Sequence, residues 1–540
     1  MAGRRNVAGN TSRTALIKNC TLALILFLFT LNQCSKSLLH NQVPQPILPE
    51  YPGIESMYWK VWEILSAHTV NDTRAKGFVR RYINCESDLY IQQAPTIYTA
   101  LFGMYGNDCL PVMASLDNFY RGQRADGHIA RVYNLFNGEP LKIPSVTEPM
   151  IHPPLFTWAE WRYYRLTGDR RRLKEFFPVW ERYFQWLENF CQGKGETAEL
   201  YYNTPLGANM PNSPRGNNEL GGWIDLSSQI ALSAYQLAQI AVVLDKPAEA
   251  LKYRSAYQQI AEKIRTNLWN VDEGLFFDKT RDGRFIKIKT TAGFWPLLAK
   301  VPDLEAARIM IDHLKDAGEF DRHHRFPSLA AKEGEFSPTG AYWRGGVWGN
   351  ENFMLVQGLK NYGEYEFAAE VAWNHIINME KVFTKFQPDT GRLDAEQPQA
   401  SGGHLWELYA PESDEPGTRW DTYHYGRPDY VPTAGFGPVA MLIEDVMGFD
   451  FDAPSDCLTW RLWLLNEHGI RNLKFGDNLI TLWCEKRESP EAPLRIFGTT
   501  SSPMQLKLFA YGDSLSMNLP RGRIKLFLQS ADFHDSQDEK

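Results

Sequence analysis

Apolar residues return at helical spacing through most of the first 450 positions of this 540-residue chain. Leu155-Phe-x-Trp-x-x-Trp-x-Tyr-Tyr-x-Leu166 predicts one helix, closed by Thr167-Gly168-Asp169, where glycine supplies a stop. Phe176 to Phe190 predicts a second amphipathic helix, and the pattern recurs over 226–244, 247–269, 303–315, 348–361, 365–380 and 433–447. These segments come in pairs joined by loops containing Gly or Pro. No sustained strand–helix alternation and no Gly-x-Gly-x-x-Gly motif accompanies them, which disfavours a doubly wound nucleotide-binding fold. Helical hairpins in series suggest an open solenoid or a closed α/α toroid. The lack of a repeat of about 30–45 residues counts against the solenoid.

After about residue 455 the texture changes. Thr459-Trp-Arg-Leu-Trp-Leu-Leu465, Leu479-Ile-Thr-Leu-Trp-Cys484, Leu494-Arg-Ile-Phe497, Leu506-Lys-Leu-Phe-Ala-Tyr511 and Lys525-Leu-Phe-Leu528 are short β-rich runs punctuated by Gly, Asn, Asp and Pro. The fold class expected is therefore mainly α, a toroid followed by a small antiparallel β domain. Residues 56–452 are assigned to the barrel, 453–531 to the β domain and 532–540 to a polar tail.

The amino terminus reads differently. A stretch with Arg4, Arg5, Arg13 and Lys18 precedes an apolar core, Leu22 to Leu31, which is too short to span a bilayer. Residues 1–34 are expected to be an export signal. Leu31-Asn-Gln-Cys34 resembles a lipoprotein cleavage box, so the membrane enters only through this signal or a lipid on Cys34. Residues 35–55, with Pro44, Pro46, Pro49 and Pro52, are expected to be a tether.

The net charge is −7, and without the basic signal the body stands at −11. An acidic body with no basic block argues against nucleic acid as a partner. Seven cysteines are spread without a Cys-x-x-Cys or Cys/His cluster, so no zinc site and no other metal or cofactor is implied. At most two disulfides are possible among Cys85, Cys109, Cys191, Cys457 and Cys484, and free thiols fit as well. The unusual quantity is the aromatic content, 17 Trp, 24 Tyr and 30 Phe. Aromatics in that number can line a sugar cleft or fill a large core.

Three loops between helical pairs combine carboxylates, aromatics and glycines. In Pro211-Asn-Ser-Pro-Arg-Gly-Asn-Asn-Glu-Leu-Gly-Gly-Trp-Ile-Asp225-Leu-Ser-Ser228, Asp225 opens a helix, where the plainer role is a cap. Gly340-Ala-Tyr-Trp-Arg-Gly-Gly-Val-Trp-Gly-Asn-Glu-Asn352 puts Trp343, Arg344 and Trp348 at the mouth of another; the plainer reading is a core anchor with Arg344 pairing a structural acid. In Ser401-Gly-Gly-His-Leu-Trp-Glu407-Leu-Tyr-Ala-Pro-Glu-Ser413, Glu407 lies between Trp406 and Tyr409, and could be an exposed carboxylate with no role.

In this order the three loops resemble those of the trehalase-like glycoside hydrolases, most closely the clan of processing α-glucosidases and mannosylglycerate hydrolases. Tyr342-Trp-Arg-Gly-Gly-Val-Trp348 is similar to that family's Tyr-Trp-Arg-Gly-Pro-x-Trp, with Gly346 for Pro. Gly222-Trp-Ile-Asp225-Leu-Ser-Ser228 is similar to Gly-Trp-Asp-Phe-Ser-Ser, with Ile224 inserted. Leu405-Trp-Glu407-Leu-Tyr-Ala-Pro-Glu-Ser413 resembles Trp-Glu-Asn-Tyr-Asn-Pro-x-Thr. The resemblance implies an (α/α)6 barrel with Asp225 as general acid and Glu407 as general base of an inverting glycosidase acting on an α-linked sugar. It also implies that Trp223, Trp343, Arg344, Trp348 and Trp406 wall the site, with aromatic burial keeping the acid protonated. Ser115 to Arg131 offers Gln123, Asp126 and Arg131 for sugar hydroxyls, and Val146 to Pro154 offers Glu148 and His152; loop capping and salt bridges are the alternatives. Relatives carry Trp-Asp where this chain reads Gln92-Gln-Ala-Pro-Thr96, so substrate identity does not carry over.

Two other readings stand beside this one. An α/α-barrel polysaccharide lyase or unsaturated-glucuronyl hydrolase would use a cationic patch such as Arg322-His-His-Arg325. A catalytically inactive carbohydrate-binding protein could be built on the same scaffold.

Overall fold

Amphipathic and more deeply buried helices alternate along the chain: α1 (Pro52–Ala67) and α2 (Gln93–Gly103), α3 (Ala114–Arg121) and α4 (Phe156–Thr167), α5 (Arg170–Phe190) and α6 (Ile224–Val243), α7 (Pro247–Leu268) and the single turn α8 (Trp295–Leu298), α9 (Leu304–Lys315) and α10 (Gly349–Lys360), α11 (Tyr365–Lys385) and α12 (Val431–Ala434), which continues into π-helical turns over Phe436–Val446. This computed structural model describes residues 39–71, 75, 77–141, 151–216, 221–393 and 403–534. The expected signal with Cys34, the candidate Glu148 and residues 535–540 of the tail lie outside the described residues.

The even-numbered helices form the inside. Every residue of α2 is buried. α6 is long and apolar enough to cross a membrane, but its burial within the protein makes it a core helix. Contacts pass from α2 to α4, α6, α8 and α10, then to the α12 segment, and from there back to α2. The odd-numbered helices show water one face and pack the other inward. α5 begins six residues before Phe176, because Asp169 caps it by accepting from the Arg171 and Arg172 backbone N–H groups at 3.1 and 3.2 Å. Its polar first turn carries no apolar signal. Gly168, at φ 70°, separates α4 from α5 in the left-handed conformation that glycine adopts without strain.

The mainly helical body is followed by two sheets. One is antiparallel, in the order β1 (Gln45–Ile47), β4 (His468–Phe475), β5 (Asn478–Cys484), β6 (Leu494–Thr500), β9 (Gly522–Leu528). The other runs β2 (Phe449–Asp452), β3 (Cys457–Arg461), β7 (Met504–Ala510), β8 (Asp513–Leu519), and its β3–β7 pair is parallel. Three expectations are corrected here. Residues 45–47 are an edge strand on β4 rather than part of a tether, and Val43 and Leu48 are buried with them. Pro46 is tolerated because an edge strand need not donate on both sides. The helical body starts at Pro52 and the sheet region at Phe449, and one of the two sheets is mixed. Among the described residues all five cysteines are free.

Candidate active site

α6 begins at Ile224, so Asp225 is its second residue and not its cap. The cap comes from far away in sequence: Asp278 accepts the Ile224 backbone N–H at 2.8 Å. Arg215 then bridges the two acids, donating from Nη2 to Asp225 Oδ2 at 2.7 Å and from Nη1 to Asp278 Oδ2 at 3.1 Å. Asp225 Oδ1 accepts the Leu226 N–H at 2.8 Å. All three charged side chains are buried, and the guanidinium lies over the Trp223 ring at 4.8 Å. Burial pushes the Asp278 carboxyl up, with Arg215 opposing and Asp225 adding. An arginine between two buried carboxylates is a stable arrangement only while both are held together.

Glu407 has its own arginine. Arg427 Nη2 donates to Oε1 at 2.7 Å, the Arg427 backbone N–H donates to Oε2 at 3.1 Å, and the Tyr342 hydroxyl donates to Oε1 at 3.0 Å. Burial alone would raise this carboxyl; the Arg427 charge and hydrogen bonds, then Tyr342, outweigh it and hold the group below the usual carboxylate range. Arg427 is itself positioned: it stacks on Tyr430 at 3.5 Å and lies 3.8 Å from Glu86, which accepts the Tyr430 hydroxyl. Glu407 is thus no idle exposed carboxylate. It is 3% exposed and ionised.

The 340–348 loop connects the two sides. Asn212, three residues before Arg215, donates to the Ala341 carbonyl at 2.8 Å and accepts the Trp343 N–H at 2.9 Å. Val347 and Tyr409 exchange backbone hydrogen bonds at 2.9 and 3.0 Å, which fixes the loop against the Glu407 segment. Ala341 and Tyr342 have φ of 40° and 65°, an uncommon conformation for residues with side chains. It aims the Tyr342 hydroxyl at Glu407. Gly346 donates its N–H to the Tyr342 carbonyl at 3.1 Å, and a Cβ there would meet that oxygen at 2.3 Å. The Pro found in the resembling motif could not do this.

The aromatic expectations divide. Trp343 and Trp348 stack on each other, centroids 4.4 Å apart, with Tyr342 edge-on to Trp348. Trp223 is covered by Arg215, and Trp406 packs edge-on to Phe386 and Tyr425, so both fill the core instead of offering a face to a sugar. Trp420, absent from the sequence-based candidates, is half exposed beside Tyr342. Arg344 pairs with exposed Glu335 at 3.0 Å, the plainer of its two expected roles, and the arginine that orients the Glu407 carboxylate is Arg427.

Gln123 and Asp126 brace a surface loop. Gln123 donates to the Gly127 and Val179 carbonyls and accepts from Arg182; Asp126 accepts the His128 N–H and pairs with exposed Arg124. Arg131 is buried, and its carbonyl accepts the Gln93 N–H at the start of α2. Beside it, burial and then the Arg131 charge push His152 well below the usual range. Gln92 donates to Glu86 and Gln93 to Tyr183, so the two residues replacing Trp-Asp are braced within the protein. The Arg322–Arg325 patch is fully engaged: Arg322 clasps Glu412, His323 meets Asp414, His324 bonds buried His375 at 2.7 Å, and Arg325 pairs with Asp321. It buttresses the segment that follows Glu407 and leaves no free cation cluster for lyase chemistry.

Residues 112–416, more than half the chain, match the family model for the mannosylglycerate hydrolase MGH1-like glycoside hydrolase domain. The chain belongs to this family. Membership makes this MGH1-like protein a glycosidase. It is 26% identical over 411 residues to an uncharacterised protein of Borreliella burgdorferi, covering 75% of this chain and 81% of that one. It is 35% identical over 115 residues to mannosylglycerate hydrolase of Thermus thermophilus, covering 21% of this chain and 27% of that enzyme. A solved mannosylglycerate hydrolase from Thermus thermophilus in complex with glucose superposes with a TM-score of 0.54 at 19% identity, over 72% of this chain and 98% of that one. The likeness in structure concerns the fold.

Proposed function

We propose that this MGH1-like chain hydrolyses an α-linked sugar conjugate with inversion, at one end of an (α/α)6 toroid. The closed circuit of contacts among the even-numbered helices supports the toroid. The observation that carries the function is Glu407, a buried carboxylate kept ionised by Arg427 and oriented by Tyr342. Such a group suits the removal of a proton from water as that water attacks the anomeric carbon. Inversion requires a second carboxyl about 6.5–9.5 Å away, on the leaving-group side. The resemblance points to Asp225, in the first turn of α6, for that side. Relatives named as mannosylglycerate hydrolases support a small α-linked conjugate as the substrate class. A screen of mannosylglycerate, trehalose and aryl α-glycosides tests the reading: sugar release from at least one is expected, and release from none rejects it.

A further inference from the structure

We propose that the outer face of the five-stranded sheet binds an anionic polysaccharide, a polymer of sugar rings carrying carboxylate or sulfate groups. Residues on its strands alternate between two faces. The inward face is apolar: Ile480 and Leu482 on β5, Leu494 and Ile496 on β6 and Ile524 on β9 are buried. The outward face meets water, which solvates either sign of charge, yet one sign is present. Its charged side chains are Arg471 and Lys474 on β4, Arg495 on β6, and Arg523 and Lys525 on β9, all exposed. None of β4, β5, β6 and β9 contains an Asp or a Glu. This in a body whose net charge is −11 concentrates cations on one face. Lys474 pairs with Asp108 at 2.7 Å, and Arg495 lies 3.6 Å from Glu485, just beyond β5. Arg471, Arg523 and Lys525 have no acidic partner among the described residues.

The same face carries a row of aromatic rings from three neighbouring strands. Trp483 stands directly opposite Phe497, with ring centroids 5.7 Å apart and planes 26° from parallel. Phe527 meets Phe497 edge-on at 6.0 Å and is 57% exposed. Gly469, opposite Trp483, leaves room for it: a Cβ there would meet the Trp483 Cβ at 2.6 Å. Cations border the row. Lys525 stands opposite Phe497 and lies 5.1 Å from the Phe527 ring, and Arg495 stands opposite Phe527. One exposed phenyl ring needs no explanation, whereas a bordered row of three rings marks a surface built to be covered.

Charge and ring chemistry together select the occupant. Pyranose rings present apolar C–H faces that lie on aromatic rings. Carboxylates or sulfates on those sugars accept charge-assisted hydrogen bonds from arginine and lysine. A second copy of this chain would bring the same cations against these. A bilayer would demand insertion, and Trp483 and Phe497 are half-buried in the sheet surface. Duplex nucleic acid offers no free ring faces, which leaves single strands as the competitor. A glycosidase so equipped is held on a charged polymer by its β domain while the toroid carries out hydrolysis.

Affinity electrophoresis of the full chain tests this, with mobility taken relative to a polymer-free gel. Polygalacturonate, dextran sulfate or both should retard the protein, and neutral dextran should not; the polymer that acts distinguishes carboxylate from sulfate recognition. Reversing two charges, Arg523→Glu with Lys525→Glu, should weaken binding at least about tenfold. Phe527→Ala should weaken it about threefold or more with the salt dependence unchanged, because it removes ring contact and no charge. All three positions are exposed, so both variants should melt like wild type. No retardation by either anionic polymer, equal retardation by dextran, or wild-type binding in either variant would overturn the proposal. Tighter binding to single-stranded DNA or to phosphatidylglycerol vesicles than to both polymers would overturn the assigned class of partner.

Discussion

Glu407→Gln should lower kcat by roughly 10²–10⁴, the usual cost of removing a general base, with KM little changed. The substitution keeps the shape and leaves an amide oxygen for the Tyr342 hydroxyl and the Arg427 side chain, which now donate to a neutral acceptor. What disappears is the charge. The stability cost is about 1–3 kcal/mol, the range for weakening a hydrogen bond to a buried charged group. Arg427 is not stranded, because Glu86 and the Tyr430 ring still hold it. Steady-state kinetics alongside denaturant unfolding separates the two effects. Activity that falls only in proportion to folded protein would make Glu407 a structural residue.

The second large effect is on stability. Arg215→Met should destabilise the fold by about 3–5 kcal/mol, the range for removing one partner from a buried ion pair. Here two buried carboxylates, Asp225 and Asp278, lose their common counter-charge, and one of them caps α6. Arg215→Lys should cost less, since it restores the charge but cannot reach both acids with separate N–H groups. A shift of under about 1 kcal/mol for Arg215→Met, measured by denaturant midpoint, would show that the triad does not hold the site together.

Much of the helical body was legible because its apolar period is local. The helices expected at 226–244, 247–269 and 303–315 match Ile224–Val243, Pro247–Leu268 and Leu304–Lys315 within a few residues. Strands were harder to read. β4 has a register shift between Ile470 and Leu473, with Asn472 at φ 55°, which breaks its alternation. β8 is mostly half-buried and carries little apolar signal, and β1 becomes a strand only by pairing with β4, more than 400 residues away.

The site was legible in its loops and not in its pairings. Asp225 and Glu407 both lie in the carboxylate- and aromatic-rich loops between helices, and Arg215 lies in the first of them. Its role depends on Asp278, which no spacing rule connects to it. Arg427 is 20 residues from Glu407 and meets it through a backbone turn, while Arg344, inside the motif, faces Glu335. Glu351 also stands in one of these motifs, but the groups around its buried carboxyl, Thr291, Trp295 and Asp225, come from segments far from it in sequence. Gln123 and Asp126 looked like sugar ligands by residue type alone, and local backbone groups engage them.

The measurement closest to the central claim is early-time proton NMR of the products from an α-linked substrate. A water activated by Glu407 on the face opposite the leaving group gives the β-anomer first, and the α-anomer grows in only by mutarotation. Release of the α-anomer at the earliest times would mean retention of configuration, and Glu407 would then not be the base of an inverting hydrolysis.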